Sequence, residues 1–277
     1  MQITDQTIRH FAAYLQAGER APATIEKYCR EVRQFSTWLD GREADKPLIR
    51  AYKDELAEKR SSAGVNGAVA ALNALFTFLK QPEYLLKAVR VQRRIFRDEA
   101  RELTEKEYRS LLSAAKRRRN ERLLMIREAI CATGIRVSEL RFFTVEAVRL
   151  GQTEVSNKGK ARTVSLPGKL QKVMLRYARM RGIVSGPVFV TRAGRPLDRS
   201  NIWHDMKALC QGADVAETKV FPHNLRHLFA RTYYGLEKDI VRLADILGHS
   251  SINTTRIYIM ESGMIHRRQL EKMKLVI

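Results

Sequence analysis

The chain has 277 residues; its 44% hydrophobic content can fill packed cores, and only 15 glycines and 7 prolines exclude a low-complexity or disordered chain. Lys and Arg total 51 against 30 Asp and Glu, a net charge of +21 that points to nucleic acid or another anionic surface. No apolar run reaches the ~18–20 residues of a membrane span, the start lacks a secretory pattern, and Cys29, Cys131 and Cys210 form no C-x-x-C pair, so a cytoplasmic, non-membrane chain without a disulfide framework or zinc finger is expected.

The first part reads as short helices. Residues 3–17 and 47–59 carry helical patterns. Between them Ile25, Tyr28, Val32, Phe35 and Leu39 fall at three- and four-residue steps, with Thr24 as a cap and Gly41 beyond the end. Lys27, Arg30 and Arg33 lie off that stripe. Val65, Val69, Leu72, Phe76 and Leu79 form another stripe, closed by Pro82. Residues 1–89 make one helical domain. A basic linker follows over 90–101, dense in arginine (Arg90, Arg93, Arg94, Arg97) and without periodicity.

The second part, 102–277, opens at Thr104, whose spacing to Glu107 is a capping box. Helices are expected over 104–116, 121–133 and 138–143. Val145–Leu150, Thr153–Ser156 and Ala161–Leu166 read as three short strands, with Asn157-Lys158-Gly159-Lys160 turning between the last two. Helices resume over 168–181, 198–211, 223–235, 238–246 and 251–260, and a short tail covers 264–277. Met174 and Met180 are expected to fill the core. Charge is uneven: residues 1–98 hold 17 basic and 12 acidic side chains, net +5, and the remainder holds 34 and 18, net +16. The fold class is mainly α with a small antiparallel β-sheet.

Four segments of the second part carry chemistry. In Thr133-Gly134-Ile135-Arg136-Val137-Ser138-Glu139, a glycine breaks a helix and Arg136 sits in the break; taken alone, Arg136 pairing with Glu139 is the simpler reading. Lys158 occupies a hairpin tip, where a lone lysine is most often a solvated charge. His223 and Arg226 share a face at a helix start, where the free N–H groups favour an anion. Gly248-His249-Ser250 makes a turn before a helix bearing Tyr258, which by itself is most often a half-buried aromatic. Together these residues suit a phosphodiester. Two guanidinium groups can neutralise a pentavalent phosphorane, a tyrosine hydroxyl can attack phosphorus, a histidine can take its proton, and a lysine can protonate the leaving oxygen. No carboxylate pair is placed to hold Mg²⁺, so neither metal nor other cofactor is expected.

The stretches TGIRVSEL, NKGKARTVSLP, HNLRH and LGHSSINTTRIY resemble the tyrosine recombinase (phage integrase) family, particularly its compact Xer-like members. The resemblance covers nearly the whole chain. APATIEKYCREVRQFSTWL is similar to the family's helical SAM-like core-binding domain, and the second part to its catalytic domain. It implies that Arg136 and Arg226 bind the phosphate and that Glu139 supports Arg136. Lys158 is then the general acid, His223 the general base, His249 a phosphate contact and Tyr258 the nucleophile. It implies cutting and rejoining of double-stranded DNA through a 3′-phosphotyrosyl intermediate, by a homotetramer on two sites, with an accessory or partner recombinase possible. The hairpin is one residue shorter than the commoner Lys-Gly-x-Lys-x-Arg, which leaves Lys160 as a competitor for the acid role. Lys160 and Arg162 join Lys27, Arg30, Arg33, Arg93 and Arg94 as candidate DNA contacts. Asn66 stands where a basic residue is expected to reach DNA. The tail 264–277 is a candidate for docking on a neighbouring protomer. Two other readings share these features: a type IB topoisomerase-like enzyme, and a non-catalytic DNA-binding regulator of this fold.

Overall fold

The computed structural model describes residues 2–90, 99–157, 160–191, 194–195, 197, 199–260, 267 and 270–273. The chain divides into two units, Met1–Arg93 and Arg94–Ile277. Most of the expected linker, residues 91–98 with Arg93 and Arg94, lies outside the described residues; Glu99–Arg101 form a short 3-10 turn.

The first unit is built on four helices: α1 (Asp5–Ala17), α2 (Pro22–Leu39), α3 (Lys46–Lys59) and α4 (Ser62–Phe78). Thr4, Asp45 and Ser61 cap α1, α3 and α4 by accepting from backbone N–H groups. α2 starts earlier than expected. Pro22 opens it, because a first-turn residue needs no N–H partner, so Thr24 lies inside the helix rather than capping it. Asp40 in left-handed conformation ends it, one residue before Gly41. The apolar stripes meet in a core of Phe11, Val32, Phe35, Ile49, Leu72 and Phe76, all fully buried. Phe35 and Tyr52 pack with ring centroids 4.9 Å apart, and the Trp38 indole donates to Glu55 at 2.6 Å. Lys27, Arg30 and Arg33 are exposed on α2, off the core stripe.

Asn66 has a different role from the one its position suggests. Its amide nitrogen donates to the Val89 carbonyl (2.9 Å), and its oxygen accepts from the Val89 N–H (2.7 Å). Asn73, two turns on, does the same with Leu86 (2.9 and 2.8 Å). Two side-chain amides thus stand in for a strand partner and hold residues 85–90 extended along α4. Lys46 and Lys53 reinforce them by donating to the carbonyls of Leu85 and Lys87.

In the second unit, α5 (Glu105–Arg117) begins with the expected Thr104–Glu107 capping box, and α6 (Glu121–Thr133) ends at Gly134. A 3-10 turn, Val137–Phe142, replaces the expected helix over 138–143. Val145–Leu150 is not a strand but a helical turn, α7. Thr144 caps it by accepting from the Ala147 N–H (3.1 Å), and Gly151 ends it at φ +79. Val145 and Val148, three apart, are buried while Leu150 is exposed; the β-branched composition disguised a capped helix. The sheet among the described residues therefore has two strands, β1 (Gln152–Asn157) and β2 (Lys160–Ser165), antiparallel with Val155 opposite Arg162.

α8 (Gly168–Met180) buries Met174 but leaves Met180 exposed, since six residues are about 240° of helical rotation. The helix expected over 198–211 is split into α9 (Arg199–Lys207) and α10 (Cys210–Ala213). α11 (Pro222–Glu237), α12 (Ile240–Leu247) and α13 (Ile252–Arg256) complete the unit. α13 is shorter than expected, so Tyr258 stands in the turn after it rather than on it. Cys29 and Cys210 are buried and Cys131 partly so, all free thiols. Among the described residues no helix is long and apolar enough to cross a membrane. Of the tail 264–277, only 267 and 270–273 are described.

The paired asparagines make a measurable contribution. Asn66→Ala and Asn73→Ala each orphan a backbone N–H and a carbonyl, and each should cost about 1–3 kcal/mol in thermal or denaturant unfolding. A loss under about 0.3 kcal/mol for both would show that the 85–90 segment is held by its apolar side chains alone.

Candidate active site

The ends of α6 and α12, the start of α11, strand β2 and the turn after α13 build the site. α6 terminates at Gly134 with φ +64, and an added Cβ would lie 2.5 Å from the Phe229 ring. Only glycine fits both the conformation and the space. The chain then turns so that Arg136 precedes the 3-10 turn carrying Glu139. α12 terminates at Gly248 with φ +63. The N–H of Gly248 bonds the Asp245 carbonyl (2.9 Å) and that of His249 bonds Ala244 (3.0 Å), a Schellman ending that fixes where His249 leaves the helix.

Glu139 is 1% exposed and its carboxylate is saturated. Oε1 accepts from the side chains of Arg136 and Arg162, each at 3.0 Å. Oε2 accepts from the Arg136 backbone N–H (2.9 Å) and from Arg162 (2.8 Å). Burial alone would raise its pKa, but Arg162 and Arg136 outweigh that and hold it near about 2. Arg162 also donates from Nε to the Ile246 carbonyl (3.2 Å), and Arg136 reaches the Gly248 carbonyl at 3.4 Å. Arg136 thus pairs with Glu139, in line with the simpler reading of the sequence, while leaving about a third of its side chain exposed (32%).

Arg226 is 2% exposed. It donates to the Gly134 carbonyl (2.5 Å), the Leu247 carbonyl (2.6 Å) and Nε2 of His249 (3.1 Å). Those carbonyls end α6 and α12, so two helix C-termini present their negative ends to one guanidinium. Burial, then the positive charge of Arg136, brings its pKa down to about 10, and it remains charged at neutral pH. A guanidinium only donates, so Nε2 of His249 accepts; its Nδ1–H then donates to the hydroxyl of Thr255 (2.9 Å), which is fully buried. Burial and the nearby Arg226, Arg136 and Arg162 push His249 down to about 4, consistent with that neutral tautomer.

Tyr258 is 5% exposed and lies among three imidazoles. Its ring centroid is 4.3 Å from His227, 5.4 Å from His249 and 5.6 Å from His223. His223 has an accessible edge at the start of α11, yet desolvation by its neighbours and the charges of Arg226, Arg136 and Arg199 lower its pKa. His227 sits 4.7 Å from His223, centroid to centroid. Burial and its two charged or titratable neighbours, His223 and Arg226, push it down to about 4. Its buried Nδ1 has no hydrogen-bond partner among the described residues.

The structure therefore brings Arg136, Glu139, His223, Arg226, His249 and Tyr258 into one cluster from distant parts of the chain. Lys158 lies outside the described residues, and Lys160 is described only as backbone in β2. Arg162, expected at the DNA, has its guanidinium on Glu139 instead. His227, Thr255 and Gly248 carry no chemical role in the sequence reading. Strand alternation is the missed signal for Arg162: it shares a face with Val164, which is 4% exposed, so it points inward. For His227 the signal is its spacing of four from His223 on one helix.

Comparison with known proteins shows what the chain is similar to. The model of the phage integrase family matches residues 101–263, and that of the phage integrase N-terminal SAM-like domain matches residues 8–83. Tyrosine recombinase XerA of Thermococcus kodakarensis is 30% identical over the whole chain and 98% of its own length. Two solved structures share the fold: XerH site-specific recombinase bound to difH substrate in a pre-cleavage complex (TM-score 0.71, 18% identity, 99% of this chain and 85% of that one) and a lambda integrase tetramer bound to a Holliday junction (TM-score 0.71, 16% identity, 91% and 76%).

The depressed imidazole at position 227 makes stability depend on pH. The unfolded chain binds a proton near pH 6.5 and the folded chain only near 4, so stability is fully present above 6.5 and falls as pH drops towards 4. Thermal melts of His227→Leu between pH 7 and 4.5 should lose about 1–2 kcal/mol less than those of the wild type. Parallel curves for the two proteins would mean that His227 is not held neutral.

Proposed function

The chain belongs to the phage integrase family, and from that premise we propose how its site cuts and rejoins DNA. It is a site-specific tyrosine recombinase. The observation that carries the reading is the packing of Tyr258 against His223, His227 and His249 beside Arg226.

Arg136 and Arg226 take the non-bridging oxygens of the scissile phosphate. With Arg162 they bring three positive charges against the single carboxylate of Glu139, an excess suited to charge that builds on the phosphorane. Tyr258 attacks phosphorus: the bond from its oxygen to phosphorus forms, the bond to the 5′ oxygen breaks, and the phenolic proton passes to His223. Lys158 supplies the proton that leaves a free 5′-hydroxyl. His249 contacts the phosphate once Arg226 turns from its Nε2 to the phosphate oxygens: the ring takes the Nε2–H tautomer, with Nδ1 accepting from the Thr255 hydroxyl. The phosphotyrosyl ester keeps the energy of the phosphodiester, so attack by a 5′-hydroxyl rejoins DNA by the reverse steps.

Double-stranded DNA is the substrate. Lys27, Arg30 and Arg33 contact its backbone from the first unit, and the residues of 90–101, with Arg93 and Arg94, link the two units along it. Four copies act on two sites, with the tail 264–277 docking on a neighbouring copy; the tetrameric relative on a Holliday junction supports that assembly.

The test is a nicked suicide substrate that loses a short strand after cleavage. The wild type should leave a covalent protein–DNA adduct on a denaturing gel, and Tyr258→Phe none. Lys158→Ala should form it at least about 100-fold more slowly, and recover on a substrate whose 5′ bridging oxygen is sulfur, since a thiolate leaves without a proton. An adduct retained by Tyr258→Phe would contradict the nucleophile. Slow cleavage and sulfur rescue for Lys160→Ala, but not for Lys158→Ala, would move the acid role to Lys160.

A further inference from the structure

One ion pair of the cluster, Arg162 on Glu139, neither touches the scissile phosphate nor moves a proton in the chemical steps. β2 turns the Arg162 side chain inward, beside Val164 and opposite Val155. Its two terminal nitrogens meet both oxygens of Glu139, at 3.0 and 2.8 Å, in a fork-to-fork pair that leaves only 13% of the arginine side chain and 2% of the glutamate exposed. Its Nε holds the Ile246 carbonyl near the end of α12 at 3.2 Å. Its Cδ lies directly beneath Gly248, where an added Cβ would stand 2.6 Å away. One side chain therefore touches the strand hairpin, the carboxylate that orients Arg136, and the turn that delivers His249.

We infer that Arg162 is a positioning residue for the phosphate-binding groups, fixing Arg136 through Glu139 and His249 through the Ile246–Gly248 turn, rather than a DNA contact. A carboxylate between two guanidinium groups can settle at only one angle. Without Arg162 each oxygen of Glu139 keeps a single bond, both to Arg136 itself, so the carboxylate can turn and the guanidinium follows it. Gly248, without a side chain of its own, loses the floor on which its turn rests. The glycine and the arginine are one device: any larger residue at 248 would expel the arginine from beneath the turn. A lysine at 162 keeps one charge near Glu139 but cannot grip both oxygens and the Ile246 carbonyl together.

This inference rests on the recombinase reading, so its test uses the suicide substrate with the full-length chain. Site affinity is measured by gel shift, and the rate of adduct formation under single turnover. Arg162→Met should bind the site within about 3-fold of wild type yet form adduct about 100-fold more slowly, the cost of misplacing a phosphate clamp by about an ångström. Arg162→Lys should recover about 10-fold of that loss, and carries the same test if the methionine variant does not fold. In a Glu139→Gln background, Arg162→Met should slow cleavage by only about 10-fold further, because the Glu139 arm is already lost and only the support of the Ile246–Gly248 turn remains to be removed. Affinity falling in step with rate would identify Arg162 as a DNA contact. An unchanged rate, or losses that simply multiply in the double variant, would also overturn the inference. Absence of adduct in the wild type would instead fail the recombinase reading, and the inference with it.

Discussion

The second unit is organised around the carboxylate of Glu139. Its four hydrogen bonds occupy the four lone-pair sites that a carboxylate has, so nothing at this position is free to reorient. A buried carboxylate costs several kcal/mol unless it is paired and hydrogen-bonded, and here burial and pairing come together. The partners belong to separate pieces of chain: the break after α6 and the inward face of β2. Pairing them through one anion fixes the hairpin against the helical core and leaves Arg136 with a single pose facing solvent. The depressed pKa of the glutamate means that this arrangement persists well below neutral pH.

Arg226 solves the same problem with the opposite sign. Its protons go to the carbonyl ends of α6 and α12 and to the ring of His249, not to a carboxylate. Dipoles stabilise the buried cation without neutralising its formal charge, so its attraction for a phosphate survives. The left-handed glycines that end both helices are what bring those carbonyls within reach. Gly134 and Gly248 are thus as necessary to the anion pocket as the arginines that line it. The lowered pKa values of the histidines around Tyr258 follow first from burial and then from this surplus of positive charge, which repels each further proton.

Much of this is legible in the sequence. The apolar stripes of α2 and α4 and the Thr104–Glu107 box follow from spacing and cap chemistry, and the choice of the site segments from their resemblance to the phage integrase family. Val145–Leu150 reads wrongly as a strand because two valines at a three-residue step carry a helix as readily, and the Thr144 and Gly151 caps decide between them. Asn66 looks like a gap in a basic face because a side-chain amide mimicking a strand partner has no local pattern; its partner Val89 lies 23 residues away. Arg162 reads as a candidate DNA contact from charge, although its strand neighbours Val155 and Val164 are core residues and its guanidinium lies on Glu139. Charge composition names a partner, but only burial tells which cations face it.

Within the fold of one chain, Tyr258 packs against the rings of His223, His227 and His249 beside Arg226. The proposed chemistry has a single protomer assemble its own nucleophile and phosphate pocket. Mixing Tyr258→Phe protein with Arg226→Ala protein on the suicide substrate tests it directly. One partner then offers an intact pocket without a nucleophile, and the other a nucleophile beside a broken pocket. No adduct is expected from the mixture, as from each variant alone. An adduct carried by the Arg226→Ala chain would contradict the claim, because the tyrosine would then be acting in a neighbour's pocket.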